Sequence, residues 1–318
     1  MQDILPVTAP IFLTIAIGYL TVRLGGLTKA DVAGLGKFVI NLSLPALLFR
    51  ALSQNPLAEI LNGAYLAAYA LGSLTMLLLG TAFARFVRKQ SLQASALTGM
   101  GMSSSNSGFI GYPIVLQVLG PTAGIGLALA MVVENLLVLP VFLVLAESGA
   151  AGGGSVRHAL AASFRRLALN PLILAIVVGF GFALLGVRPP VPVAKVIDLF
   201  AAASGAVALF TVGGALVGLR IRGLLADVTR IVGAKLLLHP LAVFAALSLL
   251  PPIDPKLRIA AVLFASSPML TVYPIFGQKY GREDVCAAAL MTATALSFAS
   301  VSAVLWLMDR GGWLAVLR

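Results

Sequence analysis

Ten times along its length the chain runs for roughly twenty residues or more with an apolar majority, the length an α-helix needs to cross about 30 Å of hydrocarbon. The runs lie at Leu5 to Leu24, Val32 to Ala51, Asn62 to Arg85, Leu92 to Leu119, Thr122 to Ala146, Ala168 to Val187, Ala194 to Gly218, Leu224 to Leu250, Leu257 to Tyr280 and Val285 to Met308. Backbone in a bilayer must find its hydrogen-bond partners within the protein, which leaves helices and closed barrels, and runs of this length read as helices. Composition removes the soluble alternative. Hydrophobic residues make up 60% of the 318 and charged residues 10%, with a mean hydropathy of +1.03, where a soluble domain is about a quarter charged. Asp3 is the only charge ahead of the first run, so that run reads as a span and not as a leader peptide. The expected fold is an all-α integral membrane protein of ten transmembrane helices.

Lys and Arg in alternate loops set the orientation. Fourteen fall on one side, among them Arg85, Arg88, Lys89, Arg157, Arg165, Arg166, Arg220, Arg222, Lys279 and Arg282, and seven on the other, including Arg318. The richer side is expected in the cytoplasm, with both termini outside it. The formal charge of +11 then reflects topology and anionic headgroups, with membrane lipid and no nucleic acid as the partner. One cysteine, Cys286, and two histidines are too few for a disulfide or a metal cluster.

The polar stretch Ser148 to Ala162, with three successive glycines from Gly152, reads as a flexible linker dividing residues 1–150 from 151–318. Sliding the chain by 161 residues pairs Ser105, Tyr112, Pro113, Ile114, Gln117 and Gly120 with Ser266, Tyr273, Pro274, Ile275, Gln278 and Gly281, identity for identity. The match relates the fourth span of each half. Five spans per half is an odd number, so the second copy enters from the opposite side, an inverted repeat. Both copies are poor continuous helices: Ser103 to Gly108 leads into Tyr112-Pro113, and Ser266-Ser267-Pro268 leads into Tyr273-Pro274. Irregular backbone at membrane depth survives where it lines protein or a watery cavity. Two breaks at matching places are therefore expected to cross near the midplane, their half-helix N-termini offering N–H groups that suit a carboxylate.

These residues resemble the auxin efflux carrier family, which includes bacterial malonate and malate carriers and plant auxin exporters. Asn106 to Pro113, reading Asn-Ser-Gly-Phe-Ile-Gly-Tyr-Pro, looks like the crossover motif of the family's fourth helix, and Pro268 to Tyr280 resembles its ninth-helix counterpart. Fainter echoes are Asn41 and Pro45 in the second span and Asn170-Pro171 at the sixth. The resemblance implies a scaffold of helices 1, 2, 6 and 7, a transport core of helices 3–5 and 8–10, and an elevator-type alternating access. It also implies a homodimer through the scaffold in some members, and, for a bacterial member, residence in the inner membrane. Carried over, Asn106 hydrogen-bonds the substrate carboxylate, and Pro113 and Pro274 shape the crossing. Ser105, Ser107, Ser267, Pro268 and Tyr273 flank it, with Ser267 standing where the first copy has Asn106. Asn41 either faces substrate or bonds a neighbouring helix.

Glu134 and Lys235 lie about halfway along their spans, where an ionisable group is costly unless paired or hydrated. They are expected to approach one another or share a hydrated pocket, serving proton coupling, charge compensation of the substrate, or a static pair. His239, one turn from Lys235, packs against Pro240 or relays protons. Glu134 and Asn135 could hold sodium. Trp306 and Trp313 fit an interfacial belt. The reading is a secondary transporter of a small organic anion, with no cofactor beyond a coupling proton or sodium. The alternatives are a sodium-coupled carrier of another organic solute and an anion channel, although a channel needs a continuous polar stripe that these spans lack. No nucleophile and base sit together as an enzyme would require.

Overall fold

The computed structural model describes residues 4–55, 60, 62–148, 168–219 and 225–317. Most of the expected linker and the basic residues Arg157, Arg165, Arg166, Arg220, Arg222 and Arg318 lie outside the described residues. Short-range chemistry starts most helices. Thr28 and Asp31 form a capping box in which the Thr28 N–H donates to Asp31 Oδ2 at 2.8 Å and the Asp31 N–H to Thr28 Oγ1 at 3.2 Å. Asn62, Ser91, Asn170 and Asp254 accept from the first-turn amides of the helices they precede, and Pro171 and Pro255 follow two of these caps, where a missing N–H costs nothing.

The helices are α1 (Leu5–Arg23), α2 (Lys29–Ser53), α3 (Gly63–Val87), α4 (Leu92–Ser103), α5 (Tyr112–Leu119), α6 (Thr122–Ser148), α7 (Pro171–Leu185), α8 (Val191–Ala215), α9 (Leu225–Leu249), α10 (Pro255–Ser266), α11 (Tyr273–Lys279) and α12 (Glu283–Arg310). A 3₁₀ turn, Trp313–Leu317, follows. Among the described residues there is no strand, and α1, α2, α3, α6, α8, α9 and α12 are the seven helices long and apolar enough to cross a membrane. The sixth expected run is a shorter apolar helix of 15 residues, α7. The fourth and ninth runs are each interrupted, between α4 and α5 and between α10 and α11.

Four wide turns inside the helices share one cause. The N–H of Leu44 donates to the Val39 carbonyl, Tyr112 to Ser107, Leu139 to Glu134 and His239 to Ala234, each an i to i−5 bond. In every case the next residue is proline: Pro45, Pro113, Pro140 and Pro240. A proline ring inside a helix collides with the carbonyl four residues back and lacks a donor for it, and widening the preceding turn relieves the collision. These turns hold Asn41, Ser107, Glu134, Asn135 and Lys235, polar groups set in otherwise apolar helices. A fifth π turn, Phe83–Val87, has no proline and ends α3.

Helix α1 packs on α8, and α2 on α7 and α8; α3 packs on α4 and α9, and α4 on α6. The first of these contacts is backbone on backbone. A Cβ on Gly18 would overlap the Phe210 carbonyl oxygen, and one on Gly213 the Ile15 carbonyl oxygen, the small-residue approach that drives helix pairing where lipid removes the hydrophobic incentive. Gly213→Val should therefore cost about 1–3 kcal/mol through overpacking and lower the melting temperature of the detergent-purified protein. Gly181→Ala, in a position with nothing nearby, should leave it unchanged or slightly raised. Equal melting of the two variants would remove the close α1/α8 contact.

Candidate functional site

Helix α4 stops at Ser103 because the chain turns extended at Ser104 (φ −84°, ψ 142°), and Asn106 (φ −84°, ψ 58°) then opens the wide turn Ser107–Gly111 that leads into α5. Helix α10 likewise stops at Ser266, with Ser267 extended at φ −68°, ψ 150°. The two interruptions are hydrogen-bonded to each other through Asn106. Asn106 donates its backbone N–H to the Pro268 carbonyl at 2.8 Å and its Nδ2 to Thr271 Oγ1 at 2.7 Å, while its own carbonyl accepts from the amides of Ile110 and Gly111. Asn106 is 2% exposed. Backbone that neither helix can satisfy is thus satisfied by the other break.

The intramembrane charges take hold on either side of that residue. Lys235 Nζ donates to Ser105 Oγ at 2.8 Å, to the Ala265 carbonyl at 2.8 Å, and lies 2.7 Å from His239 Nδ1. With Lys235 charged, its three ammonium protons meet three acceptors, which assigns Nδ1 as the acceptor and the ring hydrogen to His239 Nε2, 2.9 Å from Ser73 Oγ. Both Lys235 and His239 are wholly buried. Glu134 Oε1, in turn, accepts from Ser107 Oγ at 2.6 Å and from the Tyr69 hydroxyl at 2.8 Å. Among the described residues no ion pair joins Glu134 to Lys235. Expected to approach one another or share a hydrated pocket, the two charges stand on either flank of Asn106, each gripping a serine one position away from it. His239, expected to pack on Pro240 or to relay protons, is the middle of the chain from Lys235 to Ser73.

Beside the crossing, between the end of α8 and the second break, lies a cavity of about 230 Å³ whose walls include Ala215, Leu219, Thr271, Pro274, Gln278 and Glu283. The sequence-derived candidates divide accordingly. Asn106, Ser105, Ser107, Pro268, Glu134, Lys235 and His239 come together at the crossing, Pro274 lines the cavity beside it, and Pro113 follows the wide turn at its C-terminal end. Ser267 Oγ turns back onto the Leu263 carbonyl of its own helix. Tyr273 is buried with its hydroxyl spent on the Leu97 carbonyl at 2.9 Å, pinning α11 to α4. Asn135 bonds the Met131 carbonyl and exposed Asn41 the Lys37 carbonyl, both one turn back in their own helices. The structure adds Thr271, Tyr69 and Ser73. Tyr65, Tyr69 and Ser73 stand at i, i+4 and i+8 on α3, a polar stripe in an apolar run that hydropathy averages away.

Because Glu134 Oε1 satisfies two buried hydroxyls, Glu134→Ala should strand both, at about 1–3 kcal/mol each. Glu134→Gln keeps an amide oxygen in place and should cost far less. Thermal melting of the two purified variants separates the cases, and identical melting would mean that Oε1 does not hold Tyr69 and Ser107.

Helices of this length and apolarity, wrapped about a polar crossing with buried charges, define a multi-pass membrane protein. The chain belongs to the membrane transport protein family, the auxin efflux carriers, whose match runs over residues 4–307. It is 33% identical over 317 residues to a protein of Rhizobium meliloti (strain 1021) named "Putative malonate transporter", covering 98% of each chain. An uncharacterized transporter of Methanothermobacter thermautotrophicus is 24% identical over 302 residues, 93% of this chain and 95% of that one. Another, from Escherichia coli (strain K12), is 24% identical over 237 residues, 73% and 74% of the two chains.

Proposed function

We propose that the protein is a secondary transporter of a small organic anion, a dicarboxylate of malonate's size, bound at the crossing of the two helix breaks. The observation that carries this is Asn106, which joins both breaks and stands between Ser105, held by the buried Lys235, and Ser107. A lysine fully enclosed in an apolar bundle offsets negative charge brought to its neighbourhood, and the second Asn106 Nδ2–H has no acceptor among the described residues. By the general rule for helix starts, the first amides of the turn at Ser107 lack intrahelical partners and suit an anionic oxygen. The adjoining cavity, about 230 Å³, falls just below the range typical for drug-sized ligands and is on the scale of a solute of a few carbons. The name carried by the Rhizobium relative gives malonate first place in the test.

The architecture in this proposal has ten passes. The seven long helices and α7 make eight, and the interrupted pairs α4/α5 and α10/α11 make the other two. The repeat at an offset of 161 residues supports two inverted halves, 1–150 and 151–318. The mutual packing of α1, α2, α7 and α8 supports a scaffold, and the remaining helices form a core that carries substrate past it. On this reading the protein sits in a bacterial inner membrane with both termini outside the cytoplasm, as a homodimer through the scaffold. Coupling runs through Lys235, His239 and Glu134.

A ligand that binds only the folded state raises its stability by RT ln(1 + [L]/Kd), about 2.7 kcal/mol at a hundredfold excess over Kd. Malonate and related carboxylates should raise the melting temperature of the purified protein, neutral analogues should not, and Asn106→Ala should abolish the shift while still purifying as a folded monodisperse species. A shift that survives in Asn106→Ala removes the crossing from the proposal. No shift with any carboxylate removes the anion.

A further inference from the structure

A second cavity, of about 400 Å³, opens on the outer surface of the helix bundle between α9, α10 and α12, with Leu236, Leu241, Phe244, Leu307 and Trp313 among its walls. Leu241 and Leu307 are each about 60% exposed, so the cavity faces what surrounds the helices, which for a chain of this kind is hydrocarbon. Its walls reject a small charged cargo and suit an alkyl chain. At one end stands an uncommitted cation. The Arg258 guanidinium lies 4.4 Å from the Trp313 ring centroid and 5.8 Å from that of Phe244, two residues that also line the cavity. Its Nη2 makes one long bond of 3.4 Å to Ser248 Oγ, its buried Nε has no partner, and no carboxylate pairs with it among the described residues.

The position fits a lipid headgroup. Arg258 is in the first turn of α10, directly after the exposed Pro251, Pro252 and Asp254, and a second Arg-on-Trp stack, Arg310 on Trp306 at 4.7 Å, stands near the C-terminal end of α12. Aromatic and basic side chains together mark the membrane boundary. From that end the cavity follows α9 from Phe244 back to Leu236, roughly 12 Å at the helical rise of 1.5 Å per residue.

We propose that this cavity is a binding site for one anionic phospholipid, its acyl chain laid along α9 and its phosphate on Arg258. The site is independent of the cargo assignment above. Leu236 and Leu237, which line the cavity, belong to the wide turn that also carries Lys235, so lipid occupancy supports from outside the same turn whose inner face holds the crossing.

The chain has two tryptophans, and Trp306→Phe leaves Trp313 as the sole reporter. Reconstituted in neutral vesicles with a small fraction of brominated lipid, this variant should be quenched about fivefold more effectively by brominated phosphatidylglycerol than by brominated phosphatidylcholine, the weight of one basic residue toward an anionic lipid. Arg258→Gln in the same background should erase the difference, and Arg258→Lys should keep most of it. Equal quenching by the two lipids in the parent overturns the proposal whether or not the arginine variants fold. Displacement by soluble glycerol phosphate as effective as that by the intact lipid also overturns it, because the site would then read a free phosphate and not a lipid.

Discussion

An amide left unpaired in hydrocarbon costs several kcal/mol, and this chain interrupts two helices within its apolar runs. The hydrogen bond from the Asn106 N–H to the Pro268 carbonyl, backed by Asn106 Nδ2 on Thr271, is the interaction that makes both interruptions affordable. Each break supplies what the other lacks, so neither is stable with the other displaced. The α4/α5 and α10/α11 arms are thereby tied into one body, and Tyr273 reinforces the tie by spending its hydroxyl on Leu97 of α4. The close glycine contact between α1 and α8 belongs to a different part of the bundle, and α8 meets the crossing along Ser107–Gly111.

The two buried charges are compensated in unlike ways. Lys235 Nζ has three neutral oxygen and nitrogen partners, whereas Glu134 shows one oxygen holding two hydroxyl donors. Charge-assisted bonds of this kind are about twice as strong as neutral ones, and they fix Ser105 and Ser107, hence the backbone angle at Asn106 between them. The wide turns take part directly. Proline at 140 and 240 forces the turn before it to open, and Glu134 and Lys235 sit at or next to the start of those turns.

The long helices were legible because twenty apolar residues in succession have few ways to satisfy their backbone, and the breaks because Ser, Gly and Pro cluster there twice at one offset. Other features were not. A proline in an apolar run reads as a kink, and that the preceding turn widens to an i−5 bond depends on steric relief that hydropathy does not encode. Depth along a span placed Glu134 and Lys235 in one region, but depth says nothing about which flank of an intervening segment each side chain reaches. Tyr273 stood beside the motif proline, yet its hydroxyl points to α4. Asn41 and Asn135 found partners one turn back, the local competition open to any short amide in a helix. Thr271 lay inside the recognised stretch but had no motif to single it out.

The crossing is also polarised along the chain, and this follows from the imperfection of the repeat. The offset that pairs Ser105 with Ser266 pairs Asn106 with Ser267, whose hydroxyl is turned back on Leu263. The first break therefore reaches across and the second receives. On the Ser105 flank of Asn106 lies the only buried cation of the crossing among the described residues, and on the Ser107 flank lies a carboxyl group. An anion in the low dielectric of the bundle is drawn to the first flank and repelled by an ionised carboxyl at the second. A directly paired Glu134 and Lys235 would have cancelled that difference between the two flanks.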